Sequence, residues 1–226
     1  AQNIRCFAIL QLLLGNMGKP GGGVNALRGE PNVQGATDMA VLFHILPGYL
    51  NMPNHDDVSL DVWTSKYGTF RRTFLVNLLK AWFGEHATPE NDFAFNLLMK
   101  KNGTANYSIY RIFEAALEGK IKMLYVMGQN PAVSNPNLNL VHEALGKLET
   151  LVVADLFVTE TAAFWERPGV DPSTIPTEVF LLPAKSFLEK EGSLTNSGRM
   201  VQWRYTTLDS LGLTKSDLEI IDLIFC

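Results

Sequence analysis

A three-layer α/β architecture built on a parallel sheet is the fold this sequence predicts, and three observations carry that expectation. Residues 121–127 are a short apolar run rich in strand formers, and Leu151-Val-Val-Ala154 is a second strand of the buried type. Between them, Leu138, Val141, Leu145 and Leu148 share one face of a helix over residues 138–148. Strand, helix and strand with short joins mean a parallel pair and a right-handed crossover. With 46% hydrophobic and 19% charged residues in 226, the composition is that of a globular chain able to bury a sizeable core.

The remaining elements follow in order. Residues 3–14 carry apolar groups on almost every face, which suits a fully buried helix, and Gly15 supplies its C-cap. The turn Gly18-Lys-Pro-Gly-Gly-Gly23 holds three consecutive glycines, which let a backbone approach something closely at an entropic cost a plain loop rarely carries. His44 to Asp61 mixes Pro, Asn, Gly and Asp and reads as loop. From Phe70 to Phe83 apolar residues return at helical spacing, and a further helix is expected near 92–101. Ile109, Ile112, Phe113, Ala116 and Leu117 define another helix, ended by Gly119.

Several classes of function are disfavoured. Nineteen basic against 23 acidic side chains leave a formal charge of −4, so no basic field invites nucleic acid. Cys6 and Cys226 are far apart and the four histidines are scattered, whereas an iron–sulfur or structural zinc site needs about four ligands. No metal site is expected from this segment alone. The apolar run Cys6 to Leu14 is interrupted by Gln11 and falls short of the roughly 20 residues of a bilayer span. The start lacks a signal-peptide pattern and the end, Asp222-Leu-Ile-Phe-Cys226, lacks a helix stop; both read as cuts through a longer chain.

The topology places a binding edge. In open parallel sheets ligands sit beyond the carboxyl ends of strands. Loop 128–136 and Asp155 leave their strands at the same edge and should form one rim. There Gly128, Gln129, Asn130 and Ser134 offer hydrogen bonds suited to phosphate and ribose, and the Asp155 carboxylate suits a guanine edge or a ribose hydroxyl. On spacing alone, a plain turn with Asp155 as an N-cap explains the same residues equally well.

A family resemblance adds to this. Asn16-Met-Gly-Lys-Pro-Gly-Gly-Gly-Val-Asn-Ala-Leu-Arg-Gly-Glu-Pro-Asn-Val-Gln-Gly-Ala-Thr-Asp38 resembles a signature of the bis-molybdopterin guanine dinucleotide oxidoreductases, and its Arg-Gly-Glu-x-Asn-Val-Gln-Gly core most resembles formate dehydrogenases. Met127-Gly-Gln-Asn-Pro131, Ala154-Asp-Leu-Phe-Val-Thr-Glu-Thr161 and Glu189-Lys-Glu-Gly-Ser-Leu-Thr-Asn-Ser-Gly-Arg199 agree in order, covering nearly the whole chain. Phe43-His-Ile-Leu-Pro-Gly-Tyr49 and Phe164-Trp-Glu-Arg-Pro-Gly169 are similar to the respiratory, periplasm-facing branch.

The resemblance implies a fragment of a catalytic subunit in a Rossmann-like α/β fold. Residues 1–30 would end one cofactor-binding subdomain, 31–168 form a second, and 169–226 return to a neighbouring domain. It implies a molybdenum or tungsten bis(molybdopterin guanine dinucleotide) cofactor, with the cysteine or selenocysteine metal ligand and a [4Fe–4S] cluster upstream of Ala1. Expected partners are formate, an iron–sulfur electron-transfer subunit and a membrane cytochrome subunit, and the expected location is periplasmic, with the cytoplasm as alternative.

The resemblance casts Arg28 as the arginine facing substrate. The physics suits that role, because a guanidinium fork pairs bidentately with a small planar carboxylate and stays charged at any working pH. It casts Gly29, Glu30, Asn32 and Gln34 beside the pterin; Glu30, Asn32 and Gln34 alternate, so an extended backbone would put them on one side. Some relatives carry glutamine at position 30. Thr195 and Asn196, in a small donor-rich stretch, are expected to face phosphate or pterin. A nitrate, arsenate or thiosulfate reductase of the same superfamily, or a non-catalytic nucleotide-binding module, are the competing readings.

Overall fold

A computed structural model describes residues 2–106 and 108–225, so Cys226 lies outside the described residues. The chain divides into two compact units, residues 1–104 with 193–203, and residues 105–192 with 204–226.

In the first unit α1 spans Gln2–Leu13 and none of its residues is buried. The fully buried helix expected at 3–14 is thus corrected: Leu13 is 80% exposed, because no apolar layer among the described residues covers it. Gly15 does end the helix, at φ 63°. Helix α2 spans Val33–Asp38. The 44–61 stretch is not all loop. Ile45–Leu46 (β1) and Leu50–Asn51 (β2) pair antiparallel, two residues each and too short to show a periodicity.

Helix α3, Leu60–Tyr67, is capped by Ser59, whose Oγ accepts from the Val62 N–H. Helix α4, Thr69–Phe83, matches the periodic run from Phe70. Together they bury Leu60, Trp63, Leu75 and Leu79 with Leu46, Leu50, Phe95 and Leu98. Beneath them Asp57 is wholly buried, accepting from the Asn54 N–H and pairing with Lys66 Nζ at 2.6 Å.

The helix expected near 92–101 is also corrected. Residues Pro89–Leu97 form an irregular 3-10 segment in which Asp92, Phe93 and Ala94 all have positive φ. Local side-chain bonds outcompete the helix: Asn91 Oδ1 accepts from Ala94 N–H, and Asp92 Oδ2 accepts from the Leu60 N–H at the start of α3.

The second unit carries the expected strand–helix–strand. Helix α5, Ile109–Leu117, precedes β3, Met123–Met127; the short α6, Pro131–Ser134, and α7, Leu138–Leu145, lead to β4, Thr150–Asp155. Strands β3 and β4 pair in parallel, Met127 opposite Ala154. Strand β5, Glu178–Pro183, extends the sheet in the order β3-β4-β5, again in parallel. The third strand of this sheet is drawn from the 169–226 stretch.

Phe113 and Ala116 of α5 and Val141, Ala144 and Leu145 of α7 pack on one sheet face through Val126, Leu151 and Val153. Between β5 and the last helix in sequence, Gly192–Thr195 (β6) and Val201–Arg204 (β7) form a two-stranded sheet whose residues 193–203 belong to the first unit. Helix α8, Asp217–Phe225, covers the other face of the main sheet, where Ile220 meets Ala154 and Ala184. Helices on both faces of a parallel sheet make the three layers.

Helix α8 begins in a capping box that sequence reading passed over. Ser216 N–H donates to Glu219 Oε2 at 2.7 Å and Glu219 N–H donates to Ser216 Oγ at 3.3 Å. The Ser216 amide holds the Glu219 carboxyl down at about 2. That contribution to stability is complete above its ordinary value of 4.5 and fades as pH falls towards 2. Ser216→Ala is expected to destabilise the unit by about 1 kcal/mol, read as a lower urea midpoint at unchanged slope; an unmoved midpoint counts against the box.

Candidate functional site

The first unit holds Arg28 on an exposed stretch without regular secondary structure, following the glycine turn. Within that turn Gly21 and Gly23 adopt φ 76° and 112°, and a Cβ on Gly22 would lie 2.4 Å from the Asn16 carbonyl oxygen. Arg28 is held twice: its N–H donates to Ser197 Oγ at 2.8 Å, and Nη2 donates to Gln34 Oε1 at 3.4 Å. Gly29 and Glu30 are exposed beside it.

The expected alternation of Glu30, Asn32 and Gln34 does not occur. Asn32 turns into the left-handed region at φ 58° and α2 starts at the next residue. Asn32 Oδ1 accepts from the Thr195 N–H at 3.0 Å and lies where a Cβ on Gly35 would stand, 2.1 Å away. Asn196 shapes its own turn, accepting from the Gly198 and Met200 N–H groups.

Gln34 is only 3% exposed and shares one helix face with Asp38, four residues on. Its Nε2 donates to Asp38 Oδ1 at 3.0 Å and to Tyr49 Oη at 3.5 Å, and Tyr49 Oη itself donates to Asp38 Oδ1. Arg199 closes the cluster, with Nη2 3.4 Å from Tyr49 Oη and Nη1 3.9 Å from Asp38 Oδ1. The Tyr49 hydroxyl lowers the Asp38 pKa most; partial burial opposes it, and Gln34, Arg199 and Arg28 add to the lowering.

Sequence reasoning missed Asp38, Tyr49, Ser197 and Arg199. The four-residue spacing of Gln34 and Asp38 was a usable signal once a helix was placed there. Tyr49 had none, because its position depends on a turn with φ 57° at that residue.

In the second unit the rim residues do gather at the carboxyl edge of β3 and β4. Gly128 turns there at φ 58° while its N–H donates to the Ala154 carbonyl, continuing the ladder. Gln129 and Ser134 are exposed. Asn130 is turned inward instead: its Oδ1 accepts from Thr161 N–H and Oγ1, and its Nδ2 donates to Glu160. It thereby ties the loops after β3 and β4 together. Asp155 Oδ1 accepts from the Leu156 N–H at 2.7 Å.

Beyond β4 and β5 lies a cleft of about 400 Å³ lined by Leu156, Phe157, Ala184, Leu208, Leu211 and Thr214. The Thr214 hydroxyl is buried without a partner, and Ser186, Glu189 and Asp209 add polar groups to this mainly apolar lining. A second cleft, of about 450 Å³, is lined by His142, Thr159, Phe164 and Arg167. Burial first, and the Arg167 charge second, lower the His142 pKa. Among the described residues no three His, Cys, Asp or Glu side chains gather to hold a metal ion, and no helix is long and apolar enough to cross a membrane.

The sequence matches the family model of molybdopterin oxidoreductases over residues 1–166. The chain belongs to that family. Among curated relatives it is 47% identical, over 89% of its length, to formate dehydrogenase 2 subunit alpha (cytochrome c-553) of Nitratidesulfovibrio vulgaris. It is 42% identical, over 100% of its length, to the major subunit of the nitrate-inducible formate dehydrogenase of Escherichia coli. It is 43% identical, over 90%, to formate dehydrogenase subunit alpha of Megalodesulfovibrio gigas. The chain spans only 21%, 24% and 21% of these relatives' own lengths.

Proposed function

We propose that this chain is part of the catalytic subunit of a formate dehydrogenase, contributing one substrate-facing arginine and part of a molybdopterin guanine dinucleotide cradle. The observation that carries the reading is the exposed, doubly tethered Arg28 within Arg-Gly-Glu-Pro-Asn-Val-Gln-Gly, in a chain similar throughout to formate dehydrogenase subunits. In that role Arg28 orients the formate carboxylate through two parallel N–H bonds.

Gly29 and Glu30 present donors and acceptors to a pterin edge, while Asn32, Thr195 and Asn196 hold the backbone that faces it. Gly128, Gln129, Asn130, Ser134 and Asp155 form the nucleotide rim. Bound there, molybdenum or tungsten on two such dinucleotides would accept the two electrons of formate oxidation and release them towards a [4Fe–4S] cluster and partner subunits. The metal ligand, cysteine or selenocysteine, would come from residues outside this segment, and the respiratory-type motifs favour a periplasmic enzyme with an iron–sulfur and a cytochrome partner.

The test is made on the complete protein, purified with its metal. Formate-dependent dye reduction, with guanine nucleotide and pterin content lowered by Asp155→Ala, is the expected result. Reduction of nitrate or another oxyanion without formate oxidation would assign the chain to a different branch.

A further inference from the structure

Arginine carries a long side chain with considerable rotamer freedom, so an exposed Arg28 needs an anchor if its fork is to be aimed. The backbone anchor is Ser197, and among the described residues the only side chain that meets the guanidinium in a hydrogen bond is Gln34.

An amide has two unlike ends, and the surroundings of Gln34 fix which end faces Arg28. Its Nε2 lies against the Asp38 carboxylate and the Tyr49 hydroxyl, and its Oε1 against the Arg28 guanidinium. Flipping the amide would set two acceptors together at Asp38 and two sets of donors together at Arg28. Asp38 is locked in turn by the Tyr49 hydroxyl, delivered by a left-handed backbone conformation that a non-glycine residue adopts only under constraint. Gln34 is buried, so its own rotamer is set by packing rather than by solvent.

We propose that Gln34, oriented by Asp38 and Tyr49, is the positioning residue that aims Arg28 at the substrate carboxylate. This rests on the reading of Arg28 as the formate-binding arginine. Gln34 touches no substrate; it acts through Arg28, and its contribution disappears when the guanidinium is removed.

The experiment is a double-mutant cycle on the complete, metal-loaded enzyme, with KM for formate, kcat, and metal and pterin content measured for each variant. Gln34→Leu is expected to raise KM roughly tenfold at unchanged cofactor content. On an Arg28→Ala background it is expected to add nothing. A full additional loss on that background, or a KM equal to the parent's in the single variant, overturns the proposal. If Arg28→Ala itself leaves KM unchanged, the reading of Arg28 fails, and the proposal with it; if Arg28→Ala raises KM while Gln34→Leu does not, only the proposal fails. Should Gln34→Leu lose cofactor or fold, the exposed Tyr49→Phe decides: a raised KM at full cofactor content supports the relay, and a parental KM overturns it.

Discussion

Arg28→Ala in the complete enzyme is expected to lower kcat/KM for formate by roughly one to two decades, the equivalent of about 1.5–3 kcal/mol for a charge-assisted pair in a desolvated site. Arg28→Lys should recover only part of the loss, since an ammonium restores the charge but not the planar fork. Metal and pterin content, measured alongside, separates two explanations. A loss at full loading places the effect on substrate; a loss that follows the metal assigns Arg28 to cofactor retention. Near-normal formate oxidation by the alanine variant would sink the substrate role.

Trp63→Ala is expected to cost the first unit about 3–5 kcal/mol, the range for truncating a large buried aromatic side chain. Trp63 is fully buried between α3 and α4, and its Nε1 donates to the Asn51 carbonyl at 3.2 Å. Truncation therefore opens a cavity and strands an acceptor beside β2. Trp63→Phe keeps most of the volume, so its smaller penalty, about 1–2 kcal/mol, reports mainly the lost hydrogen bond. Urea unfolding followed by far-ultraviolet circular dichroism measures both. The two units can unfold in separate steps, so the change belongs in the transition that carries α3 and α4. Equal stability of the alanine and parent chains would show that this core does not hold the unit together.

What was legible in the sequence was what rests on long periodic runs. The helix from Phe70, the helix from Ile109 and the parallel pair 121–154 stand where hydrophobic spacing put them, since burying those faces is the dominant force on them. Elements governed by individual polar bonds were not legible. Residues 89–97 carry apolar side chains that invite a helix, and Asn91 and Asp92 dissolve it by bonding to backbone. β5 was overlooked because the stretch between it and β4 holds only the short 3-10 turns Phe164–Glu166 and Pro172–Thr174, with no periodic crossover helix to announce a parallel partner.

The candidate site divides along the same line. Arg28 and the rim around Gly128 and Asp155 were read from motif and topology. The Asp38–Tyr49–Arg199 cluster depends on contacts across as many as 161 positions and left no local pattern.

The strand order β3-β4-β5 leaves the sheet with two unlike borders. On the β5 side, Lys215 bridges to Ala184 and exchanges backbone hydrogen bonds with Pro183 and Lys185, fencing the end of that strand. On the β3 side no strand among the described residues other than β4 pairs with Met123–Met127. What guards that border is charge: Lys120 and Lys122 stand just before it, in ion pairs with Glu118 and Glu149. Basic gatekeepers of this kind discourage a second chain from adding its own strand. Neutralising these two lysines, which no catalytic argument would single out, is expected to weaken that guard against edge-to-edge pairing.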